Sequence, residues 1–155
     1  MGYNVSARYA RTPRGPERLM IVSAERPFFS TLGVAPIAGR TFTDDDPANV
    51  AVVSEGFWRE RLGATPGVLG LTLTLDDGPT TIVGVMPDRF QFPYRAASLL
   101  NSVATEARTD LWLPLDPPVD SGLRARGRFG SVVGRLKPGV TYDEASSELS
   151  AAVIS

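Results

Sequence analysis

The chain has 155 residues, 15 glycines, 13 prolines, no cysteine, no histidine and a formal net charge of -1. That length suits one domain or two small subdomains that bury a core without disulfide or metal staples, and the glycine and proline content favours many turns and short elements. Without cysteine there is no thiolate nucleophile or thiolate zinc site; without histidine the usual general base near neutral pH and the triads built on it are missing; and 16 basic against 17 acidic residues leave no basic field to collect nucleic acid or an anionic membrane.

In chain order, apolar alternation over Tyr3 to Tyr9 and Arg18 to Ala24 predicts a β-hairpin, with Arg11 to Pro16 as its loop. Leu19 and Ile21 share one face of the second strand and Met20 and Val22 the other, so this strand is expected to be covered on both sides. Phe28, Phe29 and Leu32 fit a two-turn helix ending at Gly33. Ile37 to Phe42 contains Gly39-Arg40, and the turn cluster Thr43 to Pro47 leads into Val50 to Val53, an apolar run that reads as a buried strand.

Ser54 stands where a helix N-cap is needed, Glu55 complements the helix dipole, and the helix is expected to run to Leu62 and stop at Gly63. Phe57, Arg61 and Leu62 share its broad face, with Trp58 beside it. Leu71, Leu73 and Leu75 alternate with threonines, Asp76 to Pro79 turns the chain, and Thr81 to Met86 returns, which is the clearest hairpin of the sequence. Residues 90–108 read as a long connection with a short helix around Ala96 to Val103. Leu111 to Leu115 is expected to be an edge strand because of its prolines, and Phe129 to Leu136 a further strand, with a polar loop from Asp116 to Arg128 between them. Thr141 and Glu144 form a capping box, after which Tyr142, Ala145, Leu149, Ala152 and Val153 repeat on one face of a helix expected to pack on a sheet.

Few side chains present themselves for chemistry. Asp44, Asp45 and Asp46 are hard oxygen ligands in a turn but lack the spacing of a calcium loop, and a solvated turn is the plainer reading. Gly134 to Gly139 carries glycines and Lys137 yet lacks the phosphate-loop spacing, so a strand-to-helix turn is expected. Arg124, Arg126 and Arg128 read as a solvated loop or as a contact for an acidic protein partner. Ser54 has no base beside it, and no sequence rule brings Asp88, Glu106 and Asp110 together as an acid pair. Trp58 and Trp112 read as core or interface anchors. No catalytic, cofactor-binding or metal-binding residue is assigned, and no cofactor is expected. No run approaches eighteen consecutive apolar residues and no signal-peptide pattern opens the chain, so as it stands it is expected to be soluble.

The order of motifs is more specific than any one of them. PFFSTLGVAPIAGRTFTDDD, VAVVSEGFWRERLG, PGVLGLTLTLDDGPTTIVGVMP, LWLPL and VVGRLKPGVTYDEASSEL together resemble the periplasmic core domain of MacB-like and FtsX-like ABC transporter permeases, over nearly everything from Met20 onward. The Trp-Arg-x-Arg-Leu-Gly helix and the Val-Gly-Val-Met-Pro end are most similar to the duplicated, ATPase-orphan permeases of acidobacterial type.

The resemblance implies an α+β fold with a mixed sheet and short helices. A porter-like α/β part, residues 1–26 and 109–155, would be interrupted by a smaller inserted α/β subdomain, residues 27–89, with 90–108 as connection. An earlier strand and helix of the family's porter unit have no counterpart here. The implied function is that of a non-catalytic periplasmic domain of an inner-membrane permease, which transmits conformational change and contacts an adaptor or cargo in export. The implied partners are a second permease copy or half and a periplasmic adaptor. An ATPase and the membrane would enter only through the parent protein. The rival reading is an autonomous soluble interaction module.

Overall fold

Strands follow the alternating apolar residues, and the pairing of those strands closes on itself. The structure is a computed structural model that describes residues 2–92, 108–115 and 131–154, without the side chains of 153 and 154. β1 (Gly2–Thr12) and β2 (Gly15–Ala24) form an antiparallel hairpin with Thr12 opposite Gly15. The expected loop Arg11 to Pro16 contracts to Pro13-Arg14. Gly15, at φ 111°, adopts a backbone that a β-carbon would strain, and the Thr12 hydroxyl accepts the Arg14 N–H at 3.1 Å.

α1 (Phe28–Leu32) ends on Gly33 in the left-handed conformation, φ 69°. A two-residue strand, β3 (Ala38–Gly39), follows, then β4 (Val50–Ser54) and α2 (Glu55–Arg61). β5 (Thr72–Leu75) and β6 (Gly78–Met86) are the expected hairpin, but Gly78 and Pro79 belong to the returning strand, so only Asp76-Asp77 turn the chain. β7 (Leu111–Pro114), β8 (Ser131–Val132) and α3 (Tyr142–Ile154) complete the described elements. The helix expected around Ala96 to Val103 and the loop from Asp116 to Arg128 lie outside the described residues.

The eight strands form one mixed sheet, in which β2, β7, β4, β6, β5 and β1 pair in that order and β1 pairs again with β2. Six strands therefore make a closed ring. β1 and β5 seal it at Ala10 opposite Leu75 and Arg11 opposite Thr74, and the hairpin tip reinforces the seal: Asp76 accepts the Tyr9 N–H at 3.0 Å and Asp77 pairs with Arg8. Every ring strand contributes to one buried apolar cluster, including Ala10, Ile21, Val53, Leu73, Ile82 and Leu111, so this cluster fills the ring, and Phe57 and Leu62 of the α2 segment join it. A second cluster lies outside. Val22, Val52, Met86 and Trp112 face away from the ring interior and are covered by Phe28 and Phe29 of α1 and by Phe42, Phe90 and Phe92. As expected, β2 is buried on both faces.

β7 corrects the sequence reading. Leu111 to Leu115 is no edge strand: β7 sits between β2, to which it is parallel, and β4, to which it is antiparallel, with all four residues buried. Its proline is tolerated because β4 pairs only with Leu111 and Trp112, which leaves Pro114 beyond the β4 ladder, while the Leu115 N–H continues the β2 ladder by donating to Ala24 O at 2.8 Å. Phe129 to Leu136 is likewise shorter than expected: among the described residues only Ser131 and Val132 pair, with Tyr3 and Gly2.

The third correction concerns α3. Its start is as expected, since Thr141 Oγ1 accepts the Glu144 N–H at 3.3 Å and the Glu144 carboxylate accepts the Thr141 N–H at 2.8 Å. The helix does not pack on the sheet: Tyr142 is 77% and Leu149 67% exposed.

Candidate functional site

The glycine-arginine turn and its acidic tail form a structural knot. Gly39 and Gly84 face one another where β3 lies against β6. A β-carbon on Gly39 would fall 2.2 Å from Val83 O, and one on Gly84 would fall 2.0 Å from Arg40 O, so this approach of two backbones needs glycine on both sides. Arg40 then turns its guanidinium onto Asp46 in a two-pronged contact of 2.7 and 2.8 Å, and Asp46 also accepts the Thr43 N–H at 2.7 Å. Arg26 donates to the Asp46 carbonyl at 2.7 Å. The Arg40 guanidinium foremost, and Thr43 after it, hold the buried Asp46 carboxyl at a pKa of about 2 against the opposing effect of burial. Asp44 and Asp45 point to solvent, and among the described residues no cluster of three or more carboxylates is placed to hold a metal ion.

An open cleft of about 320 Å3 lies where α2 leaves β4, beside β2 and the residues that lead into β7. It joins two acids that no sequence rule brings together, Asp88 and Asp110, and adds Glu60, Arg18, Arg61 and Arg108. Glu106 lies outside the described residues. Among the described residues, three carboxylates and three guanidinium groups line the cleft.

Asp110 is built into the sheet. Its carboxylate accepts the Met20 N–H at 2.8 Å, its own N–H donates to Met20 O at 2.9 Å, and its carbonyl accepts the Ser54 N–H at 2.8 Å, which bridges β2 and β4 just ahead of β7. Burial pushes its carboxyl up, partly offset by the Met20 N–H. Arg61 pairs with Glu17 at 2.9 Å, and Thr12 Oγ1 donates to Glu17 at 2.8 Å; the latter bond is the leading cause that holds the Glu17 carboxyl below its ordinary value. The Asp88 N–H donates to Glu55 at 3.1 Å, and Glu55 also pairs with Arg59 one helical turn on. The six charged positions of the cleft come from four stretches of chain, and sequence reasoning had no signal for Arg18, Arg61 or Arg108 in it.

The remaining candidates have structural partners. Ser54 Oγ accepts the Phe57 N–H at 3.1 Å and caps α2, as its position in the sequence suggested. Trp58 donates its indole N–H to Thr65 O at 2.9 Å, and Trp112 is fully buried between Phe29 and Phe90, with ring centroids at 5.8 and 5.4 Å. Gly134 to Gly139 links β8 to α3, with Arg135 tied to Thr31 O at 2.9 Å and Gly139 at φ 82°. Arg124, Arg126 and Arg128 lie outside the described residues. No helix among the described residues is long and apolar enough to cross a membrane.

Comparison with known proteins bears directly on these motifs. No curated protein matches the chain. The fold is similar to the periplasmic region of MacB from Actinobacillus actinomycetemcomitans, with a TM-score of 0.65 at 18% identity over 98% of this chain and 64% of that one. It is also similar to the extracellular domain of the noncanonic ABC-type transporter YknZ from Gram-positive bacteria, with a TM-score of 0.62 at 16% identity over 94% of this chain and 67% of that one. The chain thus spans about two thirds of the length of each neighbour, and both support the α+β, mixed-sheet architecture. The family model described as MacB-like periplasmic core domain matches residues 2–152, so the chain belongs to that family, the periplasmic core domains of MacB-like ABC transporter permeases.

Proposed function

We propose that the chain is a non-catalytic part of its parent permease that transmits conformational change across the periplasmic space and contacts an adaptor or cargo during export. The observation that carries this reading is the family match over residues 2–152. The closed ring supports it, because six strands sealed around one apolar core move as a rigid body and pass a displacement from one end to the other. Two charged groups of the cleft fit a structural part, since the Asp110 carboxylate and the Arg61 guanidinium make contacts that hold elements together. A second permease copy or half and a periplasmic adaptor are the proposed partners, and an ATPase acts on this domain only through the parent's membrane helices. The porter-like part, residues 1–26 and 109–155, and the smaller part, residues 27–89, are proposed to move together, because β7 pairs with both β2 and β4.

The test is a spin label at Thr72→Cys, an exposed site, in the cysteine-free background of this domain within the parent permease in lipid. Distances between labels on paired domains should shift between the nucleotide-free and ATP-bound states. Unchanged distances under turnover would refute transmission, and a parent reading frame without membrane spans would leave an autonomous interaction module.

A further inference from the structure

Strand register fixes what the ring shows on its outer wall where β1 closes against β5. Ala10 points inward, into the cluster that fills the ring, so its neighbours Tyr9 and Arg11 point outward. Residues directly opposite one another share a face: Arg18 lies opposite Tyr9, Pro16 and Thr74 lie opposite Arg11, and Pro79 lies opposite Thr74. All six side chains are exposed, Tyr9 at 59%. Around Val22, Val52 and Trp112 the same wall is covered by the phenylalanines of the second cluster.

The arginines of this bare part differ from others in the described structure. Arg8 pairs with Asp77, Arg26 and Arg40 bond to Asp46, Arg59 pairs with Glu55, and Arg61 pairs with Glu17. The guanidinium groups of Arg11 and Arg18 have no ion pair or hydrogen bond among the described residues. They stand on a diagonal of two paired strands, about 7–8 Å apart, with Tyr9 between them on that face. β1 is held by β2 on one side and by β5 on the other, so both arginines and the tyrosine start from a fixed platform. Arginine and tyrosine are also the side chains that protein interfaces collect.

We propose that this outer wall, centred on Arg11, Arg18 and Tyr9, is a docking surface for an acidic segment of a protein partner. The partner's carboxylates pair with the two guanidinium groups, and its apolar atoms lie on the tyrosine ring. Charge selects this occupant. Two unpaired positive charges call for separate carboxylates, whereas a uniformly anionic lipid surface would also meet Asp76 and Asp77 at the neighbouring hairpin tip, and the chain as a whole carries a net charge of -1. The inference gives a surface and a chemistry to the partner contact proposed above and rests on that reading.

The experiment uses the full parent permease in cells. The photo-cross-linker benzoylphenylalanine replaces Tyr9, the cells are irradiated, and the cross-linked peptide is sequenced. The adduct should lie on a different protein, in a segment that carries at least two carboxylates. Its yield should fall at least about 10-fold when Arg11→Glu and Arg18→Glu are combined. Arg11→Gln with Arg18→Gln, which removes the charges but keeps polar stems, guards against misfolding and should lower the yield as well. Lys137→Glu changes the same kind of exposed charge elsewhere and should leave the yield as it was. An adduct on lipid, on the permease itself or a second copy, or on a segment without acids overturns the proposal. So do the absence of any adduct, a yield that neither double variant lowers, and an equal loss in Lys137→Glu. Benzoylphenylalanine at Arg59, also exposed, separates this surface from the reading it rests on: capture of an adaptor or cargo there but not at Tyr9 sinks only the surface, and capture at neither position sinks the contact reading with it.

Discussion

Acid should reveal how much the Arg40–Asp46 contact contributes. The Asp46 carboxyl falls from an ordinary 3.8 to about 2 in the fold, and its side chain is only 7% exposed. A depressed carboxylate pKa stabilises the fold fully above the unfolded value, and the contribution is lost as the pH falls through the folded value. At 1.36 kcal/mol per pKa unit the contribution is about 2 kcal/mol. Arg40 is 49% exposed, so solvent screening keeps the figure from being larger. The assay is urea unfolding of wild type and Asp46→Asn at several pH values from 5 down to 2. The stability gap should be widest at pH 5 and narrow by about 2 kcal/mol on reaching pH 2, because protonation removes from the wild type the charge that the variant already lacks. A gap that stays constant across that range would refute the electrostatic account and leave only the shape of the turn.

Three further substitutions probe other parts of the fold. Gly84→Ala places a β-carbon 2.0 Å from Arg40 O, so it should cost about 3 kcal/mol or prevent folding; a variant that unfolds with wild-type urea midpoint would contradict the close approach of β3 and β6. Ser54→Ala removes the acceptor for the Phe57 N–H and should cost about 1 kcal/mol in the same unfolding assay, with Ser54→Asp restoring most of it. Asp110→Asn keeps an oxygen for the Met20 N–H and removes a charge that burial disfavours, so it should raise the melting temperature at pH 7. Because the folded-state pKa of Asp110 is raised, that gain should shrink as the pH is lowered towards the ordinary carboxylate value; a gain independent of pH would point to packing instead.

Local signals were legible in the sequence, and distant pairings were not. Gly33 as a helix terminator, Ser54 as an N-cap and the Thr141–Glu144 capping box each depend on residues at most three positions apart, and each stands in the structure where the sequence put it. The strand-rich hairpin from Leu71 to Met86 was equally plain, with its turn shortened by two residues. β7 was misjudged because Pro114 argues for an edge only if the ladder reaches it, and the β4 ladder stops at Trp112. Ring closure depends on Ala10 meeting Leu75, and the cleft on Asp88 and Asp110 lining one hollow; neither arrangement leaves a mark in periodicity or composition. α3 was expected against a sheet on its apolar repeat alone, but an apolar face states a need for cover without naming what supplies it.

The residues that carry the family resemblance act on backbone. Gly39 and Gly84 allow two strands to touch, Arg40 and Asp46 fix the turn that leads into β4, and Ser54 starts the helix that enters the ring. All of them work within the chain, fixing turns and strand contacts. Specificity for a partner must then come from positions that the fold leaves free. The exposed residues of α3, Tyr142 and Leu149, are one such region, and the hairpin of β5 and β6, with Thr72 and Thr74 outward, is another. Substitutions at the glycine and arginine positions would report on folding alone, so loss of transport in those variants says nothing about mechanism unless the folded fraction is measured in the same preparation.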